Sequence, residues 1–367
     1  MDLTGIKSGT VADRLEEFQT AIAREGLDAY WVAKTANVRY LSGFNGEAGT
    51  LMITRDRAVL ITDSRFEEEA RKEAEVDQVK VREDGMVETV GEVCKSLGNP
   101  KTGFTASNVT YADGQELDSV LPSDDVIPLS EGPVESMRIQ KGKEEVEAII
   151  SATELAEEAF QAFSERVVAG RSEQWLSGCL EWEMKRCGAE RAAFDTICAV
   201  DERASLPHAR CTERELTEQS ALLVDWGAQV DGYNSDLTRV LGTGTIPRRV
   251  CKLIEIVLDA QEAALQVLGP GVPCTEVDSA ARDVIAASGY GGQFVHSLGH
   301  GVGLEVHEAP RLARGNAEEL KTGMVVTVEP GIYIPEEVGV RVEEMIVVTS
   351  NGCEKISSLP TSEHWDV

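Results

Sequence analysis

The chain has 367 residues, of which 42% are hydrophobic and 27% charged, and its formal net charge is −29. This length predicts more than one domain. The acidic excess argues against a nucleic-acid-binding protein, because phosphate contacts need a basic face. No apolar run reaches membrane-spanning length, and the N-terminal residues lack the basic and apolar regions of a signal peptide. We therefore expect a cytoplasmic protein without nucleic-acid or membrane partners.

The first third of the sequence alternates between helical and strand patterns. Apolar residues recur at helical spacing over 11–25, and Gly26 ends that run. A second helix is predicted from the Glu- and Arg-rich run 64–74. Strands are predicted from short apolar runs at 28–33, 50–54, 58–62 and 78–82. This alternation is typical of a small α/β domain, which we place at residues 1–133, ending in a proline-rich stretch.

The remaining residues, 134–367, predict a larger α+β domain. Helices are predicted at 144–168, 174–187, 250–268 and 276–287. Strands are predicted at 196–200, 221–230, 233–241, 324–328 and 338–348. Several of these strands carry carboxylates inside otherwise apolar runs, and those acids are the first candidates for a functional site.

Three of the five histidines, His296, His300 and His307, lie within twelve positions. A His-x-x-x-His pair on a helix would resemble zinc hydrolases, but Ser297 stands where those helices carry Glu. The interspersed glycines would each weaken a helix by roughly 1 kcal/mol. We therefore predict a glycine-rich loop or irregular strand whose backbone comes close to a site. The alternative is three histidines satisfied by hydrogen bonds in the core.

A first pair of carboxylates flanks a predicted hairpin. Asp225 interrupts an apolar run, where an unpaired buried charge would be very costly. Asp236 follows eleven residues later, and the Asp231-Gly232 pair between them is a strong hairpin signal. If the loop has an even number of residues, Asp225 and Asp236 lie on one face of the hairpin. Two like charges on one face need a cation.

A second pair, Glu329 and Glu343, interrupts two further apolar runs near the C-terminal end. For any single acid the alternative is a salt bridge, with Arg239 and Arg341 as the obvious partners. Four acids around a histidine-glycine stretch favour a metal centre instead.

Four carboxylates would balance two divalent ions and leave room for a bridging hydroxide. Oxygen-rich ligands favour Mn²⁺ or Co²⁺ here, with Fe²⁺ or Zn²⁺ as alternatives. Two such ions roughly 3.5–4 Å apart lower the pKa of a shared water and polarise a carbonyl group. The chemistry that this site predicts is hydrolysis.

Five segments resemble the motif set of the pita-bread metallopeptidases and occur in the same order as in that family. Within the family, the resemblance is greatest to the Xaa-Pro peptidases, aminopeptidase P and prolidase. These segments are residues 225–228, 234–239, 296–308, 328–333 and 341–343. The N-terminal region resembles the creatinase-type N-terminal domain through residues 37–44 and 61–65. The resemblance therefore implies a pita-bread catalytic domain preceded by a smaller α/β domain.

The resemblance also implies a metal-ligand set. Asp225 is expected to ligate one ion, and Asp236 with Glu343 to bridge both. His300 and Glu329 are expected to ligate the second ion. Glu329 is also the expected general base for the bridging water.

Four further residues match family positions close to the substrate or the metal ions. His208 matches the substrate-side histidine. His296 and His307 match a pair that positions the substrate and stabilises the tetrahedral intermediate. Arg341 is expected to support the site electrostatically. His364 has no such match and is expected to be solvated.

The activity implied by the resemblance is two-metal hydrolysis of the Xaa-Pro bond, at peptide N-termini or in dipeptides, by a homodimer. The peptide partner would carry proline at its second position. One alternative is a different two-metal reaction, such as lyase chemistry on a small carboxylated substrate. Another is a non-catalytic binding protein, although that outcome usually requires a lost ligand and none is missing. The metal-free creatine hydrolases share both domains but lack this ligand set.

Overall fold

The computed structural model describes residues 3–122, 125–360 and 365–366. Contacts divide the described residues into two compact units, one of residues 9–138 and one of residues 3–8 with 139–360 and 365–366. The division falls after Arg138, whereas the proline-rich stretch placed the predicted boundary at residue 133. Each unit has its own hydrophobic core.

The first unit is a six-stranded mixed sheet of order β4-β3-β2-β1-β5-β6. Its strands are β1 Ala29–Val32, β2 Gly49–Thr54, β3 Ala58–Thr62, β4 Gln78–Val81, β5 Thr102–Thr105 and β6 Val126–Leu129. Its helices are α1 Val11–Arg24, α2 Thr35–Ser42, α3 Glu67–Glu73, α4 Met86–Ser96, α5 Tyr111–Val120 and α6 Pro133–Arg138. Thr10 begins α1 through a capping box with Asp13. Helix α2 has no counterpart among the predicted elements.

The second unit contains two pairs of long helices packed on sheets. Its helices are α7 Lys143–Ser164, α8 Glu173–Cys187, α9 Arg248–Val267 and α10 Cys274–Ala287. Helices α7 and α8 share a core with the earlier strands of this unit, and α9 and α10 share a core mainly with the later strands. None of the helices among the described residues combines the length and the apolar character needed to cross a membrane.

The strands of the second unit form several sheets. They are β7 Arg191–Ala192, β8 Ile197–Val200, β9 Ser220–Trp226, β10 Ala228–Val230, β11 Tyr233–Asn234, β12 Leu237–Thr243, β13 Gly299–Gly301, β14 Glu308–Leu312, β15 Val325–Val328, β16 Gly331–Ile334, β17 Val338–Arg341, β18 Glu344–Thr349, β19 Gly352–Lys355 and β20 Trp365–Asp366. The two largest sheets have the orders β20-β12-β9-β8 and β14-β13-β15-β18-β19. Helices around these sheets confirm the predicted α+β class.

The predicted hairpin is confirmed, and it fixes the register of the first acid pair. Asp231 and Gly232 form a two-residue turn with φ values of 46° and 69°. In the strands that continue from it, Asp225 lies opposite Thr238. Asp236 is two residues from Thr238, so its side chain is on the face that carries Asp225.

The histidine-glycine stretch forms the irregular strand that its glycines predict. β13 pairs with β14 through a register shift between His300 and Gly301. A Cβ atom on Gly299 would lie 1.9 Å from the carbonyl oxygen of Thr327, and one on Gly301 would lie 2.2 Å from that of Ala309. The space that the glycines leave is therefore filled by neighbouring backbone.

Candidate metal centre

One cavity of about 780 Å³ in the second unit brings the predicted site residues together. Its walls include every one of them: His208, Asp225, Asp236, His296, His300, His307, Glu329, Arg341 and Glu343. They come from segments up to 135 positions apart in the sequence, so the sheets and loops of the fold place them side by side. The cavity is lined by both polar and apolar groups, and its volume is large enough for a small ligand.

Asp236, His300 and Glu343 form one compact group, with one potential ligand atom from each lying within 4.8 Å of the others. His300 Nε2 is 3.3 Å from Glu329 Oε1 and 3.7 Å from Asp236 Oδ2. The other ring nitrogen, Nδ1, lies 3.1 Å from the carbonyl oxygen of Gly301. If Nδ1–H donates to that carbonyl, Nε2 is left with a lone pair directed at the acids, as a metal ligand requires.

Asp225 makes a different set of contacts. Arg341 Nη2 donates to its Oδ2 at 2.5 Å, while Oδ1 is buried with no hydrogen-bond partner in the described part of the chain. The salt-bridge alternative therefore accounts for one oxygen of one acid. Arg239 pairs with Glu344 instead, Nη2 lying 2.9 Å from Oε1, and its contact with Glu343 is to the backbone carbonyl oxygen.

Burial makes the charges of three acids costly. It raises the pKa of Asp236 and of Glu343 well above their ordinary values, and the neighbouring carboxylates raise both further. Burial also raises the pKa of Asp225, although Arg341 opposes that shift. A divalent cation would relieve this repulsion and would take up the partnerless oxygen of Asp225, so the donor set fits such an ion.

Glu329 differs from the other three acids. Burial acts to raise its pKa, but the hydrogen bond and charge of His300 outweigh burial and lower it. The same contact raises the pKa of His300 against the effect of burial. Thr327 Oγ1 donates to Glu329 Oε1 at 3.2 Å and accepts from the backbone N–H of His300 at 3.1 Å. Glu329 is thus held as an ionised carboxylate beside His300.

A chain of hydrogen bonds through Arg341 and Thr238 connects Asp225 to Glu343. Arg341 Nε donates to Thr238 Oγ1 at 3.1 Å, and that hydroxyl donates to Glu343 Oε2 at 2.7 Å. Arg341 Nη1 donates to the hydroxyl of Tyr333 at 2.7 Å. Sequence reasoning gave Thr238 and Tyr333 no role. The hairpin register could have identified Thr238, because it places this residue opposite Asp225.

The remaining histidines surround this cluster. His296 Nε2 lies 3.0 Å from the Tyr333 hydroxyl, and the ring of His307 packs on that of His300 with centroids 4.3 Å apart. Burial lowers the pKa of both His296 and His307. His208 lies on an exposed loop at the cavity wall. His364 lies outside the described residues.

The sequence matches two family models. The model of metallopeptidase family M24 matches residues 147–350. The model of the creatinase/prolidase N-terminal domain matches residues 14–140. The first model spans the whole cavity and all its acids.

Relatives named as Xaa-Pro peptidases match over most of their length. The Xaa-Pro dipeptidase of Pyrococcus horikoshii is 38% identical over 338 residues, covering 91% of this chain and 93% of that protein. The solved Xaa-Pro dipeptidase from Bacillus anthracis has a TM-score of 0.93 at 35% identity, covering 98% of this chain and all of the other. The X-Pro aminopeptidase from Thermotoga maritima has a TM-score of 0.87 at 34% identity, covering 94% and 99%. These similarities confirm the pita-bread fold, and the chain belongs to metallopeptidase family M24, with a creatinase/prolidase N-terminal domain.

Proposed function

We propose that this protein hydrolyses the Xaa-Pro bond of dipeptides with two divalent metal ions, Mn²⁺ or Co²⁺. The observation that carries the proposal is the cluster of four acids and His300, all buried except the half-buried Glu329, on the wall of one cavity. Relatives named Xaa-Pro dipeptidase, matched over nearly their whole length, support the substrate class. The homodimer and the cytoplasmic location stay predictions.

The metal ions would be held by a carboxylate-rich set. It consists of Asp225, Asp236, His300, Glu329 and Glu343. When bound, the ions supply Lewis-acid activation of a water molecule and of the substrate carbonyl. Oxygen ligands of this kind suit Mn²⁺ and Co²⁺ better than sites built from thiolates.

Glu329 is the proposed general base. Thr327 Oγ1 donates to its Oε1, and His300 Nε2 lies 3.3 Å from the same oxygen. Oε2 lies on the side of His296, at 3.9 Å from Nδ1. That oxygen is therefore the one we assign to accept the proton of the attacking water, which Glu329 then delivers to the leaving nitrogen of proline.

The histidines around the acids are proposed to handle the substrate. His208, His296 and His307 line the cavity beside the acids. Lowered pKa values keep His296 and His307 neutral near pH 7, so either ring can donate one hydrogen bond to a developing oxyanion or accept one from the substrate. Arg341 keeps Asp225 in place and adds positive charge beside the acids.

A dipeptide differs from a longer peptide by presenting a free carboxylate one residue from the scissile bond. Arg311 lies opposite His300 in the β13–β14 pair and lines the cavity. No ion-pair partner for its guanidinium occurs among the described residues, and the side chain is exposed. We assign Arg311 to the carboxylate of the dipeptide, because a guanidinium recognises that group through two parallel hydrogen bonds.

The test is a substrate panel with the purified protein loaded with Mn²⁺ or Co²⁺. It compares an Xaa-Pro dipeptide, its C-terminal amide, a longer Xaa-Pro peptide and an Xaa-Ala dipeptide. We expect the Xaa-Pro dipeptide to be cleaved fastest and Arg311→Met to raise its KM without affecting the amide. Asp236→Ala should abolish metal-dependent turnover of every substrate.

Other outcomes identify the alternatives. Preference for the longer peptide would make the protein an aminopeptidase P and would overturn the assignment of Arg311. Tight metal binding without cleavage of any peptide would favour a lyase or a non-catalytic binding protein. Full turnover by the Asp236→Ala variant in the presence of a chelator would refute the two-metal mechanism.

A further inference from the structure

Glu173, the first residue of α8, has a fully buried carboxylate that gathers donors from both ends of one loop. The backbone N–H of Val200 donates to Oε1 at 2.9 Å. From the other end, Thr212 donates to Oε2 through its backbone N–H at 2.8 Å and through its hydroxyl at 2.7 Å. Arg203 Nε lies 2.9 Å from each oxygen.

These donors enclose the segment 201–211, which carries His208 to the cavity wall. Arg203 extends the connection inside this segment, since its Nη2 donates to the carbonyl oxygen of Arg210 at 2.6 Å. Arg210 is two residues from His208, so the polar contacts of Glu173 extend to within two residues of that histidine. His208 itself is exposed.

Two contacts from β17 hold the same segment. A Cβ atom on Gly339 would lie 1.7 Å from the carbonyl oxygen of Ala204, so β17 approaches the loop as closely as backbone can. Arg341, on the same strand, donates through Nη1 to the carbonyl oxygen of Pro207 at 3.3 Å. The loop is thus fixed between β17 and the carboxylate of Glu173.

We propose that Glu173 is a positioning residue that holds the His208 loop at the cavity wall. Every hydrogen bond to its carboxylate has the oxygen as acceptor, and an amide at this position would turn one acceptor into a donor. A donor facing the N–H of Val200 or Thr212 would leave buried groups unpaired and would release one end of the loop. The inference rests on the proposed role of His208 in handling the substrate.

Glu183 provides a matched control on the same helix. Its side chain is also fully buried, and it pairs with Arg166 at 2.7 Å and with Arg186 at 2.6 Å. Both of those arginines lie outside the His208 loop. Glu183→Gln therefore removes a buried carboxylate of the same kind without touching the loop.

The experiment is a double-mutant cycle measured on the Xaa-Pro dipeptide with the metal-loaded full-length protein. We expect Glu173→Gln to lower kcat/KM by about ten- to a hundredfold, because misplacement by about 1 Å costs that much. In the His208→Ala background the same substitution should cause no further loss. Glu183→Gln should leave kcat/KM close to that of the wild type in both backgrounds, and all variants should bind Mn²⁺ with unchanged affinity.

Equal losses from Glu173→Gln with and without His208 would overturn the inference, because the residue would then act independently of that histidine. An unchanged kcat/KM in His208→Ala alone would overturn the role of His208 and the positioning role with it. If Glu173→Gln fails to fold, Thr212→Val removes a single hydroxyl donor and should reproduce a smaller loss by the same route.

Limited trypsin digestion tests the loop without relying on turnover. We expect Glu173→Gln to be cleaved after Arg210 at least tenfold faster than the wild type and Glu183→Gln to match the wild type. Absence of Xaa-Pro hydrolysis in the wild type would refute the proposed function. Equal digestion rates for Glu173→Gln and the wild type would instead refute the positioning of the loop by Glu173. The two failures are therefore distinguishable.

Discussion

Arg341 and Asp225 form a buried ion pair in which Nη2 and Oδ2 are 2.5 Å apart. The guanidinium uses its other nitrogens for Thr238, Tyr333 and the carbonyl oxygen of Pro207. It therefore holds Asp225 directly and contacts Glu343 through Thr238. Arg341 is therefore more than a counter-ion, because the planar fork determines where Asp225 points. The alternative in which Arg341 merely neutralises the acid predicts that any cation would serve.

We predict that Arg341→Met lowers kcat/KM on an Xaa-Pro dipeptide by about 10–100-fold, the usual effect of losing a residue that orients a metal ligand. Arg341→Lys keeps the charge but lacks the planar fork that reaches these partners at once, so it should recover little of the loss. Steady-state kinetics at saturating Mn²⁺ decide the matter. Full recovery by lysine would show that charge alone suffices.

Thr238 gives a second prediction about ligand orientation. Its hydroxyl accepts from Arg341 and donates to Glu343 Oε2, and both side chains are buried. Thr238→Val keeps the shape of the side chain but removes this link, so Mn²⁺ affinity should fall by about 10–100-fold. Thr238→Ser restores the hydroxyl and should restore the affinity. Calorimetric titration with Mn²⁺ measures both, and equal affinity in the valine variant would contradict the prediction.

The third prediction concerns the stability of the protein without metal. The pKa of Glu343 in the folded protein is raised well above the ordinary value of 4.5, first by burial and then by Glu329 and Asp225. A group whose pKa is higher in the folded state binds its proton more tightly there. Its contribution to stability is therefore lost as pH rises from about 4.5 through the folded-state value.

The Glu343→Gln variant has no carboxylate to ionise at this position, so it avoids this loss of stability at high pH. In a chelator at pH 7–8 it should therefore unfold at a higher temperature than the wild type. Each kcal/mol gained corresponds to roughly 2–4 °C in Tm. The difference should vanish near pH 4, and excess Mn²⁺ should reverse the order because only the wild type gains full binding energy. A wild type that is the more stable protein in chelator at pH 7–8 would refute the repulsion among these acids.

Much of the fold followed from local patterns in the sequence. The helix at 174–187 has an N-cap serine and a glycine in the left-handed conformation after its last residue, and it is found at Glu173–Cys187. The Asp231-Gly232 turn determined the register of β9 against β12. Helix α2, at Thr35–Ser42, was missed because only eight residues and no side-chain cap mark it.

The site was predictable at the level of residue types, but its connections were not. Charges inside apolar strands identify Asp225 or Glu343 because burying them has a cost that demands a reason. Thr238 and Glu173 are one hydroxyl and one acid among many in the sequence. Their importance comes from contacts with residues 105 and 27 to 39 positions away, which only the folded chain brings together.

The glycine before His300 provides the last prediction. A Cβ atom on Gly299 would lie 1.9 Å from the carbonyl oxygen of Thr327, so Gly299→Ala must separate β13 from β15. His300 would then move away from Glu329, and we expect the protein to lose at least one Mn²⁺ per chain and most of its turnover. Gly292→Ala is the control, since nothing lies within 4 Å of a Cβ atom there. Metal content after dialysis measures the effect, and an alanine variant at 299 that keeps the metal content of the control would show that the close approach does not position His300.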